Sequence, residues 1–414
     1  MSDSHSLDLD FVRQQFPAFA EPSLKDSAFF ENAGGSYMCQ QVMQRLDSYF
    51  HNTKVQPYHP YPQAQLAGQQ MDDAYTALAD WLNVSGDEVY FGPSTSQNTY
   101  VLANAMQGWL QAGDEIIVTN QDHEANSGVW RNLAARGMKI TQWSVNPETG
   151  SLDIEQLQQL FNDKTKLLVF PHCSNILGEI NAIADICQLA KKNQVRTVVD
   201  GVSFAGHGLP DVSALRADIY LFSLYKVYGT HQGIMVVRSD MNDLLVNQGH
   251  YFNSDLREKR LTPAGPDHAQ IAAARGVCDY FSAIYQHHFS NADASALEKS
   301  KAVHDLFVKA EQQTLQPLLE FFQQHPSIRI IGPQGVENRA PTVAIIVENH
   351  SSMALAKALG EKGIMCGAGH FYSLRLLQAM QIDTDDGVLR FSLVHYTGKA
   401  DVDKLISVLS ALIA

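Results

Sequence analysis

Two ionisable residues stand where apolar runs end, and their types fit one kind of chemistry. Val195 to Val199, β-branched apart from Arg196, closes at Asp200; Ile219 to Phe222 leads through Ser223, Leu224 and Tyr225 to Lys226. A charge left at the mouth of a buried strand is costly unless something there uses it. If the strands are parallel neighbours, both side chains emerge at carboxyl ends, where open α/β sheets hold their ligands. A lysine to form a Schiff base and an acid to pair with a pyridine nitrogen are what a pyridoxal phosphate site needs.

Other segments carry residues of the same use. In GPSTSQNTYVLANAM, Ser94, Thr95 and Ser96 fall at a helix amino terminus, where free N–H groups and the helix dipole attract an anion. A plain N-cap explains one hydroxyl; three after Gly-Pro favour a phosphate seat. His123 in NQDHEANSG and Asn175 in PHCSNILG each follow a buried strand, and each also reads as an ordinary turn or capping residue. Gly34 and Gly35 in FFENAGGSY mark either a turn or a close approach of backbone to a ligand.

The elements that must position these residues follow from periodicity. Residues 7 to 19 read as a short amphipathic arm, with Leu9, Val12 and Phe16 at helical spacing and Pro17 stopping it. Strands are expected at 89–91, 115–119, 167–170, 195–199 and 219–222, alternating with helical patterns as in a mostly parallel sheet. Residues 233–238 follow Lys226 too soon for a helical crossover and read as an antiparallel hairpin strand. A long helix over 267–286 and a charged one to 324 lead to a smaller α/β unit. Its strands are expected at 342–347 and 388–393, its helices at 352–362 and 400–412. The boundary falls near 270.

Composition narrows the partners. A chain of 414 residues is too long for one small core, and two domains is the natural expectation. The net charge of -14 argues against nucleic acid or an anionic membrane as main partner. Five cysteines without CxxC spacing fit a reduced cytoplasm better than a disulfide framework or a zinc site. The acidic amino terminus lacks the basic and apolar regions of a signal peptide, and no apolar run approaches the ~18 residues of a membrane span.

With these residues in order, the chain resembles the class V aminotransferase group of fold type I pyridoxal phosphate enzymes, in its cysteine desulfurase and selenocysteine lyase branch. The likeness runs from FFENAGG to the last helix. It implies an α/β fold: a large domain on a mostly parallel seven-stranded sheet (29–270) after an arm (1–28), then a linking helix and small C-terminal α/β domain (271–414). SLYK implies Lys226 as the Schiff-base lysine, and VVDG implies Asp200 as partner of the pyridinium nitrogen. DHEAN places His123 over the cofactor ring, and SNILG gives Asn175 to its oxygen. STSQN nominates Thr95 and Ser96 as phosphate ligands, joined by Ser223. LRFSLVHYT nominates Arg390 for the substrate carboxylate, against the alternative of a surface arginine in an edge strand. The glycines Gly34 and Gly35 join Arg390 on the substrate side.

The chain also departs from the pattern. Ser203 stands for a glutamine near the ring oxygen and Tyr225 for the histidine before the lysine; both are counted with the cofactor residues. Aligned through Gly369, the desulfurase loop cysteine falls on Tyr372 and its arginine on Gly367. Cys366 lies six residues earlier and could take sulfur only if the loop were arranged differently; the alternative is a buried structural cysteine. Gly265 and Pro266 replace the Gly-Thr pair with which a neighbouring subunit reaches the phosphate, and Pro266 offers neither hydroxyl nor N–H. A homodimer is still implied, and an amino acid as substrate. The reaction reads as C–S lysis or desulfuration, with transamination or epimerisation as the alternative; a sulfur-acceptor protein is a partner only under the first. A non-catalytic scaffold conflicts with keeping both Asp200 and Lys226. A nicotinamide dehydrogenase conflicts with GAGHFY at 367, which lacks the third glycine of the dinucleotide fingerprint.

Overall fold

The computed structural model describes residues 6–414. Its central sheet has seven strands: β1 (Val89–Gly92), β2 (Glu115–Thr119), β3 (Lys139–Trp143), β4 (Thr165–Pro171), β5 (Arg196–Asp200), β6 (Ile219–Ser223) and β7 (Gly233–Val237). Their order is β3-β2-β4-β5-β6-β7-β1, and β7 alone runs against the others. This is the mostly parallel α/β sheet expected.

Apart from the edge strand β3, the strands are buried on both faces, so their sequences are continuous apolar runs rather than alternations of apolar and polar. Odd and even residues serve different cores. Leu168, Phe170, Val199, Tyr220 and Phe222 pack on one face. Leu167, Val169, Val198, Ile219 and Leu221 pack on the other. Burying each such side chain stabilises by about 1.5–3 kcal/mol. A register slip of one residue would exchange the faces, so the register that places Asp200 is firmly set.

The link between β5 and β6 contains only single turns, at Ala205–His207 and Val212–Leu215. Gly206, Gly208 and Pro210 interrupt it, and no long crossover helix forms. The helix His268–His288 packs on the helices Gln40–Asn52 and Pro62–Leu82. Contact is close at Gly276, where a Cβ would stand 2.6 Å from the Val42 nitrogen.

A second sheet, antiparallel throughout, holds β8 (Ile328–Ile331), β9 (Thr342–Val347), β10 (Gly367–Gly369) and β11 (Val388–Ser392) in the order β10-β11-β9-β8. The helices Ser352–Glu361 and Lys399–Leu412 cover it. The segment Ala28–Phe29 pairs in parallel with Ile364–Met365, and Ala28 and Phe30 lie in this second core. Residues 31–36 therefore lead from this second core to the turn after β6, where the Ser36 N–H donates to the Tyr225 carbonyl. Strands β3 and β8 were not expected from periodicity: β3 is an edge strand, KITQW, with only Trp143 fully buried.

Candidate active site

The pairing of β5 with β6 is parallel, with Asp200 opposite Leu221, so Asp200 and the turn carrying Lys226 leave the sheet at the same end. Asp200 is buried and accepts one hydrogen bond, from the Val202 N–H at 2.8 Å. Burial pushes its carboxyl up to about 6, against the pull of that bond and of Lys226. Lys226 is half-buried, and its amine is brought down to about 8 by desolvation and by the charge of Arg390. Both line the same cavity.

The helix Thr95–Ala105 points its amino terminus at this cavity, with Ser94 as N-cap accepting from the Gln97 N–H. Thr95 and Ser223 hydroxyls meet at 2.7 Å. Their approach depends on Gly233, opposite Ser223 on β7: a Cβ there would collide with the Ser94–Thr95 backbone. The N–H groups of Thr95 and Ser96 belong to the first turn and have no intrahelical acceptor, so an anion fits there.

His123 follows β2, and its Nδ1 accepts from the Ala125 N–H at 3.1 Å. Burial and the nearby cations Lys226 and Arg390 bring it down to about 4, so the ring is neutral at pH 7. Asn175 follows β4 and is tied to a loop of the C-terminal unit. Its Nδ2 donates to the Phe371 carbonyl at 2.9 Å, and its Oδ1 accepts from Ser373 Oγ at 2.6 Å. The Glu124 N–H adds a bond to the Tyr372 carbonyl at 2.8 Å. These bonds hold Phe371 and Tyr372 at φ 46° and 60°, a left-handed backbone that non-glycine residues adopt only under constraint. The Tyr372 ring, in the position aligned with the desulfurase cysteine, lies 5.2 Å from that of His123.

Arg390 sits on β11, which has a neighbour on each side, and is 2% exposed. The alternative of a surface arginine in an edge strand is therefore overturned. Its guanidinium donates to the Asn175 carbonyl at 3.0 Å, pairs with Glu31 at 2.6 Å and stacks on Phe371 at 3.7 Å. Glu31 was not singled out from the sequence. A Cβ on Gly34 would stand 2.6 Å from Glu31 Oε1, and both Gly34 and Gly35 turn their N–H groups onto the Glu31 carbonyl.

Ser203, Ser96 and Tyr225 also line the cavity, and Tyr225 stacks on His231 at 4.7 Å. Gln121 and Cys173 line it as well. They were missed because β-strand ends carry such residues without any distinguishing spacing. Cys366 lies between Ile364–Met365 and β10, packs against the second core, and burial pushes its thiol up to about 12. The other four cysteines are buried.

The class V aminotransferase profile matches residues 28–258 and 289–405. An aminotransferase-like protein of Gibberella zeae, FGM3, is 35% identical over 99% of this chain and 100% of its own length. A cysteine desulfurase of Serratia proteamaculans is 27% identical over 97% of each chain. Among solved structures, the apo cysteine desulfurase of Thermococcus onnurineus superimposes with a TM-score of 0.85 at 21% identity, over 99% of both chains. The fold is thus shared with cysteine desulfurases of the fold type I group. On the profile match and the relative of 35% identity, the chain belongs to the class V aminotransferase family, and within it is cysteine desulfurase-like.

Proposed function

We propose that the protein is a pyridoxal phosphate enzyme acting at the Cα of an amino-acid substrate, and that it does so without a cysteine persulfide. The observation that carries this is the meeting of Asp200, Lys226 and the Thr95–Ser223 hydroxyl pair on one cavity. The donor set fits the cofactor: an anion seat whose space Gly233 leaves open, a buried carboxylate with one oxygen bonded, and an amine of lowered basicity.

Thr95, Ser96 and Ser223 would hold the phosphate with hydroxyls and first-turn N–H groups. The Asp200 carboxylate would accept a hydrogen bond from the protonated ring nitrogen and so keep the proton there. The neutral His123 would pack on the ring face, and Asn175 would turn its second Nδ2 proton to the ring oxygen, with Ser203 and Tyr225 alongside. Pyridoxal phosphate, when bound, supplies an aldehyde for an amine and a ring that withdraws electrons from Cα. Lys226 would anchor it through Nζ and, once freed, would take the Cα proton onto Nζ; an amine brought down to about 8 suits both tasks. Arg390 binds the substrate carboxylate.

A persulfide route needs an exposed, acidic thiol. Cys366 is only partly exposed, and burial raises its thiol rather than acidifying it, while Tyr372 fills the loop position. The reading is therefore a lyase that releases its leaving group to solvent, or an aminotransferase; relatives named for desulfuration favour the lyase. A panel of amino acids, assayed for sulfide, alanine and keto acids, tests it. Keto acid or released sulfide with a Cys366→Ala variant of full activity is expected; loss of sulfide transfer in that variant would contradict it.

A homodimer is part of the reading. Tyr251 and Phe252 are 87% and 68% exposed, an apolar surface of the kind a second subunit covers. The five free cysteines support a reduced, cytoplasmic setting.

A further inference from the structure

We infer that Glu31 is a resident occupant of the carboxylate clamp, so that a substrate carboxylate must displace it to be gripped by Arg390. The inference rests on the reading of Arg390 given above.

Three nitrogens of a guanidinium can form two-pronged grips, and each grip uses at least one Nη. In Arg390, Nη1 donates to the backbone carbonyl of Asn175 at 3.0 Å and Nη2 to Glu31 Oε1 at 2.6 Å. Only Nε, itself buried, is without a partner among the described residues. The Asn175 carbonyl is fixed in the chain, whereas the Glu31 carboxylate is on a side chain that is 29% exposed. Glu31 is thus the group that can yield.

The site is built around this carboxylate. Gly34 and Gly367 border it, and a Cβ on either would stand 2.6 Å from one of its oxygens. Phe371 closes the other face of the guanidinium at 3.7 Å. Glu31 Oε2 is buried with no partner, so the pair is not a completed structural salt bridge. An arginine already neutralised gains less from a second carboxylate than a bare one. The consequence is a site that weighs the substrate's carboxylate lightly and accepts amines that lack one, or whose carboxyl is blocked as an ester or amide.

L-alanine and ethylamine differ by the carboxylate alone and make the test. Each is titrated into wild type, Glu31→Gln and Glu31→Ala loaded with pyridoxal phosphate, and visible absorption gives an apparent Kd. Removing the charge is expected to tighten L-alanine about tenfold and to leave ethylamine within twofold, in at least one variant. Differences in amine basicity cancel in the ratio. Equal shifts for both ligands, or none, overturn the role of Glu31, because a merely structural residue would move them together. A wild type that acquires no visible band overturns the cofactor reading, and this inference with it.

Discussion

Arg390 Nη1 donates to the main-chain carbonyl of Asn175 at 3.0 Å, joining a strand of the C-terminal sheet to the turn after β4. The residue assigned to substrate binding is thereby also a tie between the two sheets. Arg390→Ala leaves the buried Asn175 carbonyl without this donor, and an unsatisfied buried acceptor costs about 1–3 kcal/mol. Urea denaturation should show a loss of this order, and the KM for amino acids should rise at least tenfold. Wild-type stability in the variant would contradict the tie.

Gly233 governs the anion seat. Gly233→Ala should push the amino terminus of the Thr95–Ala105 helix away from Ser223 and weaken pyridoxal phosphate binding about tenfold or more, as read by equilibrium dialysis. Unchanged affinity would remove the phosphate from this turn.

The amine of Lys226 must be neutral to attack an aldehyde, and burial with Arg390 nearby sets it at about 8. Cofactor capture by the apoprotein should slow by about an order of magnitude for each pH unit below that value. A flat rate between pH 6 and 9 would contradict the assignment.

Asp200 gives a prediction of opposite sign for stability and activity. Its folded-state value, about 6, lies above the ordinary 3.8, so the folded protein binds the proton more tightly than the unfolded chain. The contribution is favourable below the ordinary value and is lost as pH rises through about 6. Asp200→Asn should therefore stabilise the apoprotein at pH 8 by about 1–3 kcal/mol, given ~1.4 kcal/mol per pKa unit, and abolish turnover. The stability gap should narrow at pH 5; a variant less stable than wild type at pH 8 would contradict it.

Much of this was readable in the chain because it is local. The unbroken apolar runs ending at Asp200 and before Lys226 mark strands buried on both faces, and the Ser94–Ser96 cluster marks a helix start. The strand β3 escaped because an edge strand needs few apolar residues, and KITQW has them only at Ile140 and Trp143. Glu31 escaped for a different reason. Its importance lies in meeting Arg390, 359 positions away, through a pairing of Ala28–Phe29 with Ile364–Met365 that no periodicity announces. The Phe371–Tyr372 backbone likewise depends on bonds from Asn175 and Glu124.

The most direct test is the visible absorption of the purified protein with added pyridoxal phosphate, compared with Lys226→Ala. Wild type should gain a band that shifts on adding an amino acid, and the variant should not hold the cofactor covalently. A wild type that stays colourless, or a Lys226→Ala variant indistinguishable from it, would contradict the account.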